Sequence, residues 1–347
     1  MDLARAFDKG EDFYVLHCEG AEHWKHERLK GITASEAAAL WAAEIADVTD
    51  GEQSFSWESP YSLWTAKLGA SRDFDEDNEL LYWGQVLEPI IADEYARRFG
   101  RALEDWGRHA LLVSRERPHL RATLDRVILD TGDGRGPGVL ECKNTSAFLL
   151  RHWSDGRPPE RVWAQVQHQL AVTGWSWGVA AALLGGSRYL AVPVLCDDEW
   201  ITEHLRRVDD LWARVVSGEA PPTDGSDATA RALAARWRTH QPVYREPTEE
   251  AVQRFAALEQ AREVGRAAEK DEKEHKNWLR EFIGDASGVA GVVELKIEAG
   301  RVSHAQITEA LLAKLPPEEA AKLTEAARGE PVKKLTKWKP ARPGKRK

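Results

Sequence analysis

The chain has 347 residues, 42% hydrophobic and 30% charged, with a formal net charge of −9. That balance excludes collagenous, mucin-like and wholly disordered chains, and no apolar run approaches the roughly 18 residues of a membrane span. Three cysteines, Cys18, Cys142 and Cys196, are too few for a disulfide framework or a four-thiolate iron–sulfur cluster. With a charged opening after Met1-Asp2-Leu3, the expectation is an intracellular, cytoplasmic protein with no secretory leader.

The first predicted element is a short loop from Trp24 feeding a helix that ends near Val48, capped by Thr33 or Ser35. A second helix is predicted over Pro60–Leu68 and a third over Asn78–Phe99, where Pro89 predicts a kink or break near Leu87–Glu88. After Gly100 the pattern turns to strands: Ala110–Ser114, Leu120–Leu129 and Gly138–Lys143, the last two joined by a glycine-dense hairpin connection from Thr131. A helix over Glu160–Gly174, a hairpin of Val179–Leu184 and Arg188–Pro193, and a helix over Glu199–Ser217 follow. This order, flanked by helices, predicts an α/β fold with a central mixed sheet.

Pro221-Pro222 opens a linker, taken as residues 223–247, so that the core is residues 1–222. Residues 248–330 read as a charged, mainly helical C-terminal extension, with a solvated helix over 248–283, a strand over Gly291–Ile297 and small helices over Ile307–Ala327. Residues 331–347 hold eight Lys/Arg and no acid, and read as a basic disordered tail. The acidic total therefore says little against a nucleic-acid partner. Carboxylates gathered around metals coexist with local basic grooves.

One segment carries chemistry. Asp125 is followed, after fifteen residues, by Glu141-Cys142-Lys143. On a strand Glu141 and Lys143 share one face and Cys142 takes the other, and a hairpin onto Leu120–Leu129 brings Asp125 beside them. Two carboxylates and an ammonium on one face are costly to bury unless a cation compensates, and oxygen ligands suit Mg²⁺ or Mn²⁺. The same residues also suit an exposed polar strand face with a cross-strand ion pair.

The neighbouring blocks carry a resemblance. Arg28 to Leu40 (Arg-Leu-Lys-Gly-Ile-Thr-Ala-Ser-Glu-Ala-Ala-Ala-Leu), Tyr82-Trp83-Gly84-Gln85-Val86-Leu87-Glu88, Ala122-Thr123-Leu124-Asp125, Leu140-Glu141-Cys142-Lys143 and Ala164 to Gly174 stand in this order. Together they resemble the YqaJ-type viral recombinase family, related to the phage lambda-type exonuclease and belonging to the PD-(D/E)xK nuclease class. The likeness covers residues 20–220. Thr123-Leu124 stands where the family has Ser-Pro, and Arg126 where a glycine is usual.

The resemblance implies a PD-(D/E)xK nuclease core and assigns roles residue by residue. Asp125 and Glu141 are metal ligands, joined by the main-chain carbonyl of Cys142, and Lys143 positions or activates the attacking water. Glu88 completes the shell of a second ion, and Gln165 orients the nucleophile or phosphate, with Gln169 one turn beyond and Gln167 a weaker candidate. Arg28, Ser35 and Thr123 contact the 5′-phosphate of the DNA end, and Trp24 wedges its terminal base pair. The implied activity is a 5′-to-3′ double-strand DNA exonuclease with two Mg²⁺ or Mn²⁺ ions per site. It leaves mononucleotides and 3′ single-strand overhangs in phage-type recombination or DNA-end processing, in a bacterial or phage-infected cell. The implied assembly is a homotrimer working with a single-strand annealing protein and no membrane. A RecB-like or restriction-type repair or defence nuclease is the alternative within nucleases, and an inactive DNA-binding or scaffold module is the alternative outside them.

Overall fold

The structure, a computed structural model, describes residues 12–48, 58–69, 79–129, 134–153, 156–239, 243–294 and 316–326. The chain divides into two compact units, Met1–Pro242 and Val243–Lys347. Among the described residues no helix is long and apolar enough to cross a membrane. The basic tail and the helices expected before residue 316 lie outside the described residues.

The first unit is mixed α/β, but its strands form two sheets where one central sheet was expected. The first has the order β1-β4-β5-β2 and comprises β1 (Phe13–His17), β2 (Ile32–Thr33), β4 (Ala110–Ser114) and β5 (Leu120–Ala122). The second has the order β3-β6-β7-β8-β9 and comprises β3 (Leu103–Glu104), β6 (Arg126–Ile128), β7 (Gly138–Thr145), β8 (Trp177–Leu184) and β9 (Arg188–Leu195). The single strand expected over Leu120–Leu129 is thus two strands in different sheets. β5 pairs antiparallel with β4 and parallel with β2, whereas β6 pairs antiparallel with β7. Thr123, Leu124 and Asp125 make the crossing between the sheets, and Leu124 is buried there.

Trp24 is not in a loop but in α1 (Gly20–Arg28), which has Glu22 in its first turn and Lys25, His26 and Arg28 in its last, the polarity the helix dipole favours. Gly31 then passes so close to the His119 main chain that a Cβ would collide with its carbonyl. That closeness lets Ile32 donate its amide to His119 at 2.7 Å and start the parallel pairing of β2 with β5. Of the two candidate caps, Thr33 holds the N-cap of a 3₁₀ helix, Ala34–Trp41, and Glu36 returns its carboxylate to the Thr33 amide at 2.9 Å. The chain continues as α2 (Ala42–Val48). In α3 (Pro60–Lys67) Ser59 accepts from the Ser62 amide at 3.1 Å, with Pro60 at the first turn.

Helix α4 (Glu79–Phe99) runs unbroken through Pro89. The proline removes one ladder bond, but Ile91, Ala92 and Tyr95 anchor the helix on the second sheet against Ile128, Leu140, Cys142 and Val179. Packing outweighs the local break signal. The opposite face of that sheet is covered by α5 (Glu160–Thr173), whose Val166 and Leu170 join Val127, Val139, Ala180 and Ala182 in the main core. This helix is also the crossover that lets β7 and β8 run parallel. Gly174, with φ 69°, ends it in the left-handed conformation.

Helix α6 (Asp198–Ser217) packs beyond, capped by Asp197 through the Trp200 amide at 3.0 Å. The linker expected over 223–247 is interrupted by α7 (Asp227–Arg236). Thr229 is buried with its hydroxyl 2.7 Å from that of Ser59, and Arg236 donates to the Tyr61 hydroxyl at 2.9 Å. The first unit therefore extends past residue 222, to Pro242.

In the second unit α8 (Glu249–Ile283) is long and highly charged, capped by Thr248 through the Ala251 amide at 3.1 Å. Its surface carries i,i+4 pairs such as Lys276–Glu272 at 2.5 Å, and Trp278 stacks on Phe282 with ring centroids 5.2 Å apart. Gly291 lies in the turn of a small hairpin, β10 (Gly288–Val289) and β11 (Val293–Glu294), and the rest of the strand expected over 291–297 lies outside the described residues. The last described element is α9 (Pro317–Ala326).

Candidate active site

Strand alternation does what the spacing predicts. Val139, Glu141 and Lys143 face α5, whereas Leu140 and Cys142 face α4. Residue 126 pairs with Leu140, so the crossing segment delivers Asp125 next to Glu141. The Asp125 carboxylate accepts the Cys142 amide at 2.7 Å. From α5, Gln165 and Gln169, one turn apart, both reach the same face of β7.

Glu141 is the hub. It is buried, and one of its oxygens accepts from the Lys143 ammonium at 2.6 Å and from Gln165 Nε2 at 2.7 Å. The other accepts from Gln169 Nε2 at 2.7 Å, and that amide also reaches the Thr123 carbonyl at 3.1 Å. Lys143 closes the ring with 3.0 Å to Gln165 Oε1. Burial, then the charge of Glu141, pushes the Asp125 carboxyl well above the usual carboxylate range, with Lys143 opposing. Burial works against the Lys143 ammonium, but Glu141 and Asp125 outweigh it and hold the proton more tightly than usual.

Asp125, Glu141, Lys143 and Gln165 line a cleft of about 690 Å³. Trp24, Arg28 and Ser35 line its other end, and Thr123 lies between the two groups. Arg28 donates to the Ser35 hydroxyl at 2.8 Å and to the Thr33 hydroxyl at 3.0 Å, with its guanidinium 4.4 Å over the Trp24 ring. The Trp24 indole in turn donates to the Thr123 hydroxyl at 3.3 Å. Arg28 is placed from behind by Lys67, which donates to its carbonyl at 2.9 Å and pairs with buried Glu36 at 2.8 Å.

Glu88 also lines the cleft, but the structure gives it a partner the sequence reading did not foresee. Arg126 reaches Glu88 Oε1 at 2.7 Å and Asp105 Oδ2 at 3.2 Å, and it also donates to the Asp125 carbonyl. Arg97 and Arg98, two to three turns further along α4, pair with Glu94 at 2.7 and 2.5 Å. Gln167 is not in the cleft: it bonds the Leu195 carbonyl and the Asp197 amide at 2.7 and 3.0 Å. The Cys142 side chain belongs to the α4-side core, and burial pushes its thiol well up. Thr33 and Arg126 are cleft residues that the motif reading left without a role.

The donor set fits a hard divalent cation. Two carboxylates lie beside each other with only Lys143 opposing their charge on that face, and the side-chain oxygen Gln169 Oε1 is buried without a hydrogen-bond partner among the described residues. Among the described residues no three His, Cys, Asp or Glu side chains converge. Asp125 and Glu141 are the carboxylates that would face such an ion.

Residues 23–176, which hold every one of these cleft residues, match the family model of the YqaJ-like viral recombinase domain. Over that segment the chain is similar to the YqaJ-like viral recombinase domain. The uncharacterized protein YqaJ of Bacillus subtilis (strain 168) is 32% identical over 219 residues, which cover 62% of this chain and 63% of that protein. The match thus spans just under two thirds of that relative's length. Among solved structures, an alkaline exonuclease from Laribacter hongkongensis is similar at 22% identity and a TM-score of 0.45, over 57% of this chain and 94% of that one.

Proposed function

We propose that this YqaJ-like chain is a divalent-metal-dependent deoxyribonuclease, a 5′-to-3′ exonuclease on duplex DNA that leaves 3′ single-strand overhangs. The observation that carries the reading is the single cleft joining two units of chemistry. The Asp125–Glu141–Lys143 group lies at one end and the Arg28–Ser35 pair at the other, bridged by Thr123 and Trp24. A guanidinium forks onto phosphate oxygens, and Arg28 lies beside two hydroxyls that serve the same anion.

Asp125 and Glu141 would hold the cation, which supplies charge stabilisation at the scissile phosphate and a more acidic water. Lys143, kept charged, orients the attacking water and balances the charge that develops on the phosphate. Gln165 and Gln169 hold the Glu141 carboxylate in one orientation from α5. In the hydrolysis a water oxygen bonds phosphorus, the P–O3′ bond breaks and the departing 3′ oxygen takes a proton. The shortened strand then keeps a 5′-phosphate, which Arg28 can bind in the next cycle. On the resemblance to phage-type exonucleases, the proposal extends to a homotrimer and to a single-strand annealing protein as partner.

The test is digestion of linear duplexes that differ only in 5′-phosphorylation, beside closed circles, with and without Mg²⁺. Mg²⁺-dependent loss of the phosphorylated linear strand, with circles spared, is the expected result. Circles cut as fast as linear DNA would remove the end-dependent reading.

A further inference from the structure

We infer that Arg126 is the built-in cation of the outer half of the cleft, so that the site takes one divalent ion, at Asp125 and Glu141, and not two. The inference rests on the metal-dependent reading above.

The outer half offers two carboxylates, Glu88 on α4 and Asp105 in the loop after β3. Both are engaged by one guanidinium, Glu88 at 2.7 Å and Asp105 at 3.2 Å. The same group also donates to the carbonyl of Asp125, so it bridges the outer acids to the main chain of the inner ligand. The Arg126 side chain is 13% exposed, against 26% for Glu88. It is fixed by the register of β6 on β7, opposite Leu140. An arginine stays protonated at any working pH and cannot vacate its charge as a lysine or histidine does. Carboxylate oxygens already shared with a guanidinium do not offer a divalent ion the charge it needs, and an ion beside Glu88 would meet a like charge at contact distance. At the same time a guanidinium lining the cleft can neutralise phosphate oxygens, the service a second ion renders in two-metal sites.

The test counts ions without turnover. Mn²⁺ is titrated into the full-length chain without DNA, with free Mn²⁺ read by electron paramagnetic resonance. Wild type is expected to bind one ion in the cleft, lost in Glu141→Gln. Arg126→Ala is expected to gain a second ion, and Glu88→Gln added to Arg126→Ala to remove it. Glu88→Gln alone, which keeps Arg126, is expected to leave the count at one; this variant serves should Arg126→Ala fold poorly. Two ions in wild type, one of them lost in Glu88→Gln, would overturn the role of Arg126 and leave the metal-dependent reading standing. No cleft ion in wild type at millimolar Mn²⁺ would overturn both.

Discussion

The Cys142 amide and the Asp125 carboxylate meet at 2.7 Å, and this bond ties the segment between the two sheets to the strand that carries Glu141 and Lys143. Its consequence is positional. Asp125 follows the end of the short strand β5, and without that anchor its carboxylate would have only the three-residue pairing of β6 to hold it near Glu141.

Asp125→Asn is expected to lower hydrolysis by about 10³-fold or more, and Lys143→Ala by about 10²- to 10³-fold at saturating Mg²⁺, with far-ultraviolet circular dichroism unchanged. The metal-free Asp125→Asn protein is also expected to melt at a higher temperature than wild type at pH 7. Burial and Glu141 raise the folded carboxyl above its unfolded value, so ionising it above that unfolded value costs the native state stability. Near wild-type turnover in Asp125→Asn would show that the site is misassigned.

Arg28→Ala is expected to slow digestion of 5′-phosphorylated ends about 10- to 100-fold, the scale of a charge-assisted hydrogen bond, and to affect 5′-hydroxyl ends much less. Single-turnover rates on the two substrates make the comparison. An equal loss on both would reduce Arg28 to a general backbone contact.

Lys67→Met leaves Glu36 buried against the Thr33 amide without its counterion. The expected loss is about 3–5 kcal/mol in urea unfolding, with Glu36→Gln added to Lys67→Met recovering a large part of it. Because Lys67 also holds the Arg28 carbonyl, the single variant is expected to weaken the preference for phosphorylated ends. A preference identical to wild type in folded Lys67→Met protein would separate the ion pair from the end pocket.

Stability is expected to fall as the pH drops from about 6.5 to 4, through a buried histidine pair. The Trp41 indole donates to His204 Nδ1 at 3.1 Å, His204 Nε2 lies 2.8 Å from His168 Nδ1, and His168 Nε2 lies 2.9 Å from the Arg121 carbonyl. This chain leaves each ring one proton, and burial lowers His168 to about 4 and His204 well below its ordinary value. The unfolded chain therefore binds more protons than the native one in that window. His168 alone contributes a loss on the order of 3 kcal/mol by pH 4. Urea unfolding at pH 7 and pH 5, in wild type and His204→Phe, checks the sign; a flat profile in wild type would exclude the pair as its source.

What the sequence by itself determined is local. Alternation along Gly138–Thr145 sets Glu141 and Lys143 on one face and Cys142 on the other, and helical spacing sets Gln165 and Gln169 one turn apart, because covalent geometry fixes both periods within a segment. The ordered blocks that carry the likeness to the YqaJ-like domain are legible for the same reason. Tertiary structure decided the rest. The break at Thr123–Asp125 follows from β5 and β6 finding partners in different sheets, a choice made by distant β4 and β7 and invisible in a run of strand-forming residues. Pro89 is tolerated because the second sheet holds α4 on its far side. The pairing of Arg126 with Glu88, 38 positions earlier, depends on where α4 crosses that sheet. Contacts of this kind come from the packing of elements, and no period in the chain encodes them.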